Sequence, residues 1–398
     1  MPKSTLTIKA NVVNNTCRQI RMFVILLSCC CLLLSCHSNQ TLLTVDAKLP
    51  ANSIHQAATK SVSYQQVATR IQHTFEQHLY QLPPRIQGHY AIRLYRLTGD
   101  KKYLSAALYD YYVVNDRLHA IVSNLDKPNY ITDKSAQLIS QLSLGKRGKA
   151  RRLALKPFPE FIFYADALLR YAARLNEFGI DVPEAVRNAL ASYDFLPALT
   201  NQAMIHAWAA QLANYVYWLD QLGIVDHRQR YQQAFIAAYP DHNDHALSRW
   251  QFHNKLYGLT HFIFAASRYY QQHLELSKFS WVLNYFTRNQ QRIVEQASAD
   301  IIAEVGLSYL LLKQHQHPMV SISKDSLIQA FDPTVGLIPS VSGKAELASA
   351  EHRNVLALML LSWPQTLHQG PHFEQLPSID GLLPEHVFNN TNRGNGER

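Results

Sequence analysis

From Val62 onward the apolar positions recur at three- and four-residue spacing, and the chain reads as one helix after another. A first amphipathic stretch, 64–80, is closed by Pro83-Pro84, and stretches 86–97 and 101–118 follow it. Between the last two stands Thr98-Gly99-Asp100. Gly99 suits the left-handed position that ends a helix, and Asp100 suits the cap that begins the next. The device returns at Gly179-Ile-Asp181, between 161–178 and 183–193, and at Gly223-Ile-Val-Asp226, between 204–222 and 227–239. Later stretches keep the helical period without the glycine: 252–271 with 278–296, 299–315 with a short 324–331, and a final 348–363.

The members of each pair differ in character. Tyr257-Gly-Leu-Thr-His-Phe-Ile-Phe-Ala-Ala, Glu304-Val-Gly-Leu-Ser-Tyr-Leu-Leu-Leu and Val355-Leu-Ala-Leu-Met-Leu-Leu are apolar nearly all round, whereas 230–239 and 278–296 carry charged faces. A helix apolar on every side must be buried on every side. Alternation of buried and half-exposed helices predicts two concentric rings. The expected fold is an all-α (α/α) toroid of six helical hairpins over 62–388, with an α-solenoid as the alternative. Composition agrees: 14 glycines, 21 tyrosines and 47% hydrophobic residues, with no long β-branched alternation. A weakly helical insert near 121–156 interrupts the series, and the Asn-rich tail 389–398 reads as disordered.

All five cysteines fall within the first 36 residues. Lys3, Lys9, Arg18 and Arg21 precede an apolar run from Met22 to Leu34, which is too short for a comfortable membrane span of ~20 residues. The run ends Leu33-Leu34-Ser35-Cys36, which resembles the lipobox of bacterial lipoproteins. That resemblance implies a signal peptide over 1–35, lipidation at Cys36, and a polar tether over 36–61. An ordinary cleaved signal or an N-terminal membrane helix is the alternative. His37 stands where inner-membrane retention calls for Asp, so the implied address is the outer membrane, facing the periplasm. The mature chain then has no thiol for a nucleophile, a zinc–thiolate site or a disulfide.

The formal charge of +9 overstates the basicity of that mature chain, because four cations and no acid lie in the signal. Lys146, Arg147, Lys149, Arg151, Arg152 and Lys156 form one basic patch without acids, expected on an exposed loop. Outside the cytoplasm such a patch meets anionic lipid, lipopolysaccharide or an acidic glycan rather than nucleic acid.

Tyr95-Arg-Leu-Thr-Gly-Asp-Lys-Lys-Tyr-Leu resembles the hairpin turns of the six-hairpin glycosidase superfamily. Lys255-Leu-Tyr-Gly-Leu-Thr-His261 and Glu351-His-Arg-Asn-Val355 resemble an uncharacterised family of gammaproteobacterial proteins over most of the mature length. The first resemblance implies a toroid, and the second carries no assigned activity.

Running the chain the same way in each hairpin places the starts of the inner helices at one rim. The polar and aromatic groups there are His89 and Tyr90; Glu160 and Tyr164; Asn201, His206 and Trp208; His253, Asn254, Lys255 and Tyr257 with His261 one turn further in; Asp300 and Glu304; and Glu351, His352 and Asn354. Aromatic rings stack on sugars while carboxylates and imidazoles move protons, so the rim is expected to bind, and to cleave by hydrolysis or elimination, a glycan. Glu304, Glu351, His253 and Asp300 are the expected catalytic groups. Asp300 and Glu304, four residues apart, share a helix face, and like charges so close raise one pKa. The rival expectation is a non-catalytic envelope scaffold. Asp241-His-Asn-Asp-His245 holds potential metal ligands but reads as a polar turn. No phosphate loop, dinucleotide fingerprint or Gly-x-Ser-x-Gly elbow is present, so no cofactor is expected.

Overall fold

The computed structural model describes residues 63–376. Cys36, the signal, the tether and the tail from 377 lie outside the described residues, so the expectations placed on them are not addressed by it. Among the described residues the regular structure is helical, and no helix is long and apolar enough to cross a membrane.

Twelve helices build the rings. The inner ones are α2 (Pro84–Thr98), α6 (Arg170–Glu177, entered through a π turn, Phe163–Leu169), α9 (Gln202–Gln221), α11 (Arg249–Ala266), α14 (Ala299–Leu311) and α16 (Leu347–Leu361). The outer ones are α1 (Tyr64–Glu76), α3 (Leu104–Val122), α7 (Glu184–Ala191), α10 (Arg228–Ala238), α12 (Leu276–Arg288) and α15 (Pro318–Ala330). Helices α4 (Tyr130–Ser140) and α5 (Lys146–Leu155) form the insert, and α8 (Leu196–Thr200) and α13 (Gln290–Gln296) are short connectors. Inner helix α16 packs against α14 on one side and against α2 and α1 on the other. The last inner helix therefore meets the first, and the ring closes as a toroid. Helix α1, from the start of the domain, serves as the outer partner of α16.

The hairpin turns share one geometry. Gly179 and Gly223 sit at φ 74° and 68°, where a side chain would be strained. The amides of Ile180 and Ile224 return to the carbonyls of Leu175 and Leu219, the 6→1 bond that closes a helix end. The later hairpins make the same turn without glycine. Lys313 adopts φ 59°, and Arg268, Tyr269 and Tyr270 are left-handed in succession. Three such residues in a row are costly. They are held by Tyr269 N–H to Phe264 O, by Tyr270 N–H to Ser267 Oγ, and by Arg96 donating to Tyr269 O.

One end of the ring is plugged. Residues 367–376 run across the C-terminal ends of α2, α6 and α11. The His368 amide donates to Arg96 O, Arg96 Nε donates to Gly370 O at 2.8 Å, Gln271 receives the Gly370 amide, and the Phe373 amide donates to Phe178 O. Phe373 also stacks on Phe178 at 4.9 Å between ring centres. The buried guanidinium of Arg96, paired to Glu177 at 3.3 Å, joins the plug to the ring.

The insert departs from expectation. It is folded, and α5 lies on α9 instead of forming an exposed loop. Arg151 is only 9% exposed. The reason lies in α9, whose backbone kinks at Trp208 (φ −130°, ψ 22°) and so frees carbonyls that must find donors. Arg151 Nε donates to Ala207 O, Asn254 Nδ2 to His206 O and Tyr231 Oη to Ala209 O. Arg151 also lies 4.3 Å over the Trp208 ring, a cation–π contact that the kink exposes.

Candidate functional site

Opposite the plug, four inner helices converge on one cluster, three of them by their early turns and α11 by its middle. It contains His89 of α2, Tyr257 and His261 of α11, Asp300 and Glu304 of α14, and Glu351 and His352 of α16. Tyr257 and His261 are one helical turn apart, as are Asp300 and Glu304, so each pair presents a single face. His89 Nδ1 and Glu351 Oε1 meet at 2.8 Å. His352 spans the α14 carboxylates, with Nδ1 3.9 Å from Asp300 and Nε2 3.8 Å from Glu304. His261 Nε2 lies 3.9 Å from the same Glu304 oxygen, while its Nδ1 is 2.9 Å from Asn214 Oδ1 of α9. Tyr257 donates its hydroxyl to Asp300, and Thr260 donates to Glu304 at 2.6 Å.

The layering is consistent. Asp300, Glu304 and Glu351 are buried, whereas the side chains of His352 and His89 keep 39% and 22% of their surface and His261 a smaller part. The imidazoles therefore face solvent at the end of the ring opposite the plug, termed the cup, and the carboxyls stand behind them.

Burial governs the charges. It pushes the Glu351 carboxyl up to about 8, opposed by the nearby cations Arg93 and Arg85. Glu304 rises well above the carboxylate range, again by burial, opposed by the Thr260 hydroxyl and aggravated by the like charge of Asp300. Burial also holds His89 well below its ordinary value and draws His261 down to about 3 and His352 to about 4. At neutral pH these are neutral imidazoles beside carboxyl groups that retain protons, a set suited to moving protons between a ligand and the wall. Arg93 ties the cluster to its floor, donating to His89 O and lying 5.7 Å from the Tyr270 ring centre.

The remaining rim residues do not join the cluster. Tyr90 is fully buried between the rings, stacked on Phe75 and edge-on to Tyr103. Lys255 points away from Tyr257, since two residues along a helix turn the side chain to the opposite face. It is locked by Asp241 at 2.9 Å and Asp244 at 2.7 Å, which explains the acidic turn at 241–245 as a counter-charge. Asn354 is buried and holds both the N–H and the C=O of Ile338. His253 is bonded to Gln296 O, His206 to Ala238 O, and Trp208 is covered by Arg151. His206 instead lines a separate cleft of about 600 Å³, with Gln202, Tyr239, Asn243 and Gln251. Of the four expected catalytic groups, Asp300, Glu304 and Glu351 therefore meet and His253 does not. Glu304 lies behind two imidazoles, in a positioning place.

Residues that the sequence pattern did not single out complete the site. Thr260 and Asn214 fix Glu304 and His261, and Arg147 of α5 reaches the rim with its guanidinium carbon 6.0 Å from the Tyr257 ring centre. Thr260 was legible within the Lys255–His261 run. Asn214 lies in the middle of an apolar helix and Arg147 in a run of cations, so neither offered a distinguishing signal. Among the described residues, no group of three or more His, Cys, Asp or Glu side chains is arranged to hold a metal ion.

No curated protein and no solved structure matches the chain. A family model described as Domain of unknown function (DUF3541) matches residues 64–390, which takes in both rings, the insert and the plug. By that match, the chain belongs to the DUF3541 family.

Proposed function

We propose that this protein is a lipoprotein of the cell envelope, anchored through Cys36 in the outer membrane and facing the periplasm, whose cup binds a glycan and cleaves it by proton transfer. The observation that supports this most is the set of three imidazoles at the cup, His89, His261 and His352, each with a buried carboxyl beside it. A neutral imidazole can take a proton from water or from a sugar carbon. A protonated carboxyl such as Glu351 can supply one, through His89, to the oxygen of the departing sugar. In hydrolysis, the C–O bond breaks as that oxygen is protonated, and water adds to the anomeric carbon while losing its proton to an imidazole. Tyr257 provides an aromatic face at the rim for the sugar ring. The stretch Tyr95–Leu104, which resembles the hairpin turns of six-hairpin glycosidases, accords with this reading.

The test uses purified full-length protein against a panel of envelope polysaccharides, with reducing ends measured for hydrolysis and unsaturated-uronate absorbance for elimination. Turnover by wild type, lost in Glu351→Gln and His89→Gln variants that remain folded at the assay pH, is expected. Absence of both binding and turnover across the panel would remove the reading.

A second reading, an envelope scaffold, is favoured by the outer face of the insert. Leu144 and Leu153 are 82% and 64% exposed there, beside exposed Lys146, Lys149 and Lys156. Apolar tips among lysines suit an anionic lipid or lipopolysaccharide surface. Substituting the three lysines by Gln should weaken binding to anionic vesicles and reduce its salt dependence if this face docks.

A further inference from the structure

Helix α5 brings two guanidiniums to the rim, one turn apart, in a stretch of six cations and no acid. Arg151 is used internally, but its partners are neutral: Ala207 O, Gln211 Oε1 at 2.8 Å, and the Trp208 ring. Among the described residues, no carboxylate lies within 4.0 Å of either guanidinium, whereas Arg96 has one and Lys255, Arg174 and Arg228 each have two. Arg147 is the less committed of the two. Its Nε is hidden from solvent without a hydrogen-bond partner, and its guanidinium leans toward Tyr257, whose hydroxyl is given to Asp300. A guanidinium half out of water with its Nε unmet carries a desolvation cost that an anion would offset. The planar fork of Arg fits a carboxylate or sulfate in two hydrogen bonds.

We infer that the cup takes an acidic sugar, its anionic substituent against Arg147 and its ring face beside Tyr257. This rests on the glycan reading above and gives it a substrate class. The arrangement places the anion at α5 and the sugar's bonds toward His261, His352 and His89. The electrostatics agree with it: burial, then the charge of Arg147, draws Arg151 down to about 9, as expected of two cations lacking a counter-ion. Arg151 fixes α5 to the kinked turn of α9, so Arg147 is carried on a braced helix.

The experiment compares an oligouronate, a sulfated oligosaccharide, a neutral oligosaccharide of equal length and inorganic phosphate, by calorimetry at low and moderate salt. Wild type, Arg147→Gln and Arg147→Lys are measured, each checked for an unchanged thermal melt. At least tenfold preference for an acidic over the neutral oligosaccharide is expected in wild type. Arg147→Gln should abolish that preference and its salt dependence, with Arg147→Lys intermediate. Equal binding of the neutral and acidic oligosaccharides, or an Arg147→Gln variant that keeps the preference, would overturn the inference and leave the glycan reading standing. Phosphate binding as tightly as the oligouronate, or no oligosaccharide binding at all, would overturn both.

Discussion

His89 and Glu351 stand 262 positions apart in the chain and meet at 2.8 Å, across the seam where the first and last inner helices close the ring. Burial disfavours a charge on either partner, so one proton is shared in a formally neutral pair.

That pair makes a signed prediction. The folded Glu351 keeps a proton to about 8 that an unfolded chain releases near 4.5. Its contribution to stability is complete below the unfolded value and is lost as pH rises through the folded one. Glu351→Gln cannot release that proton, so its melting temperature should gain on wild type between pH 5 and 8.5. The full difference is on the order of a few kcal/mol. Parallel melting curves across that window would contradict the assignment.

The imidazoles predict the opposite slope. His261 and His352 fall to about 3 and 4, so their contribution is present above pH 6.5 and is lost as pH falls toward those values. Their C2 proton resonances should stay in place between pH 8 and 5. A titration centred near 6.5 would show that water reaches and charges them freely.

Gly88 tests the seam between α2 and α3. A Cβ there would stand 2.2 Å from Asp110 Cβ, and Asp110 is buried against Arg174 at 3.2 Å. Gly88→Ala should cost about 2–4 kcal/mol by overpacking. Gly223→Ala, with open space but φ 68°, should cost about 1 kcal/mol from backbone strain alone. Chemical denaturation of both variants checks the order, and a reversal would refute it.

Arg96 tests the plug. Arg96→Met removes the donors to Gly370 O and Tyr269 O and leaves Glu177 with Arg174 alone. A loss of about 3–5 kcal/mol is expected, with new protease cleavage within 364–376 before the rings are cut. Cleavage starting elsewhere would deny the segment this role.

The ring was legible because its cues were local. Gly99, Gly179 and Gly223 mark three turns, and helices apolar on every side announce an inner layer. The rim was only half legible. Helix starts can be read from sequence, but the facing of each side chain depends on how the helix is rotated against its neighbours, which separated Tyr257 from Lys255 and His89 from Tyr90. The insert was misjudged for a different reason. Helix α5 buries an arginine against an indole and freed carbonyls, a contact that leaves no apolar period to detect.

The closure of the ring has a consequence for how the molecule comes into being. In chain order α2 comes early and α16 nearly last, so His89 can meet its carboxyl partner only when almost all of the domain is present. Until that helix docks, five helical hairpins can stand without a complete cup. Any chain stopped before residue 351 would keep His89, His261, Asp300 and Glu304 but lack Glu351 and His352. The contact between His89 and Glu351 is thus among the last parts of the fold to be completed, and a product truncated before residue 351 is without it.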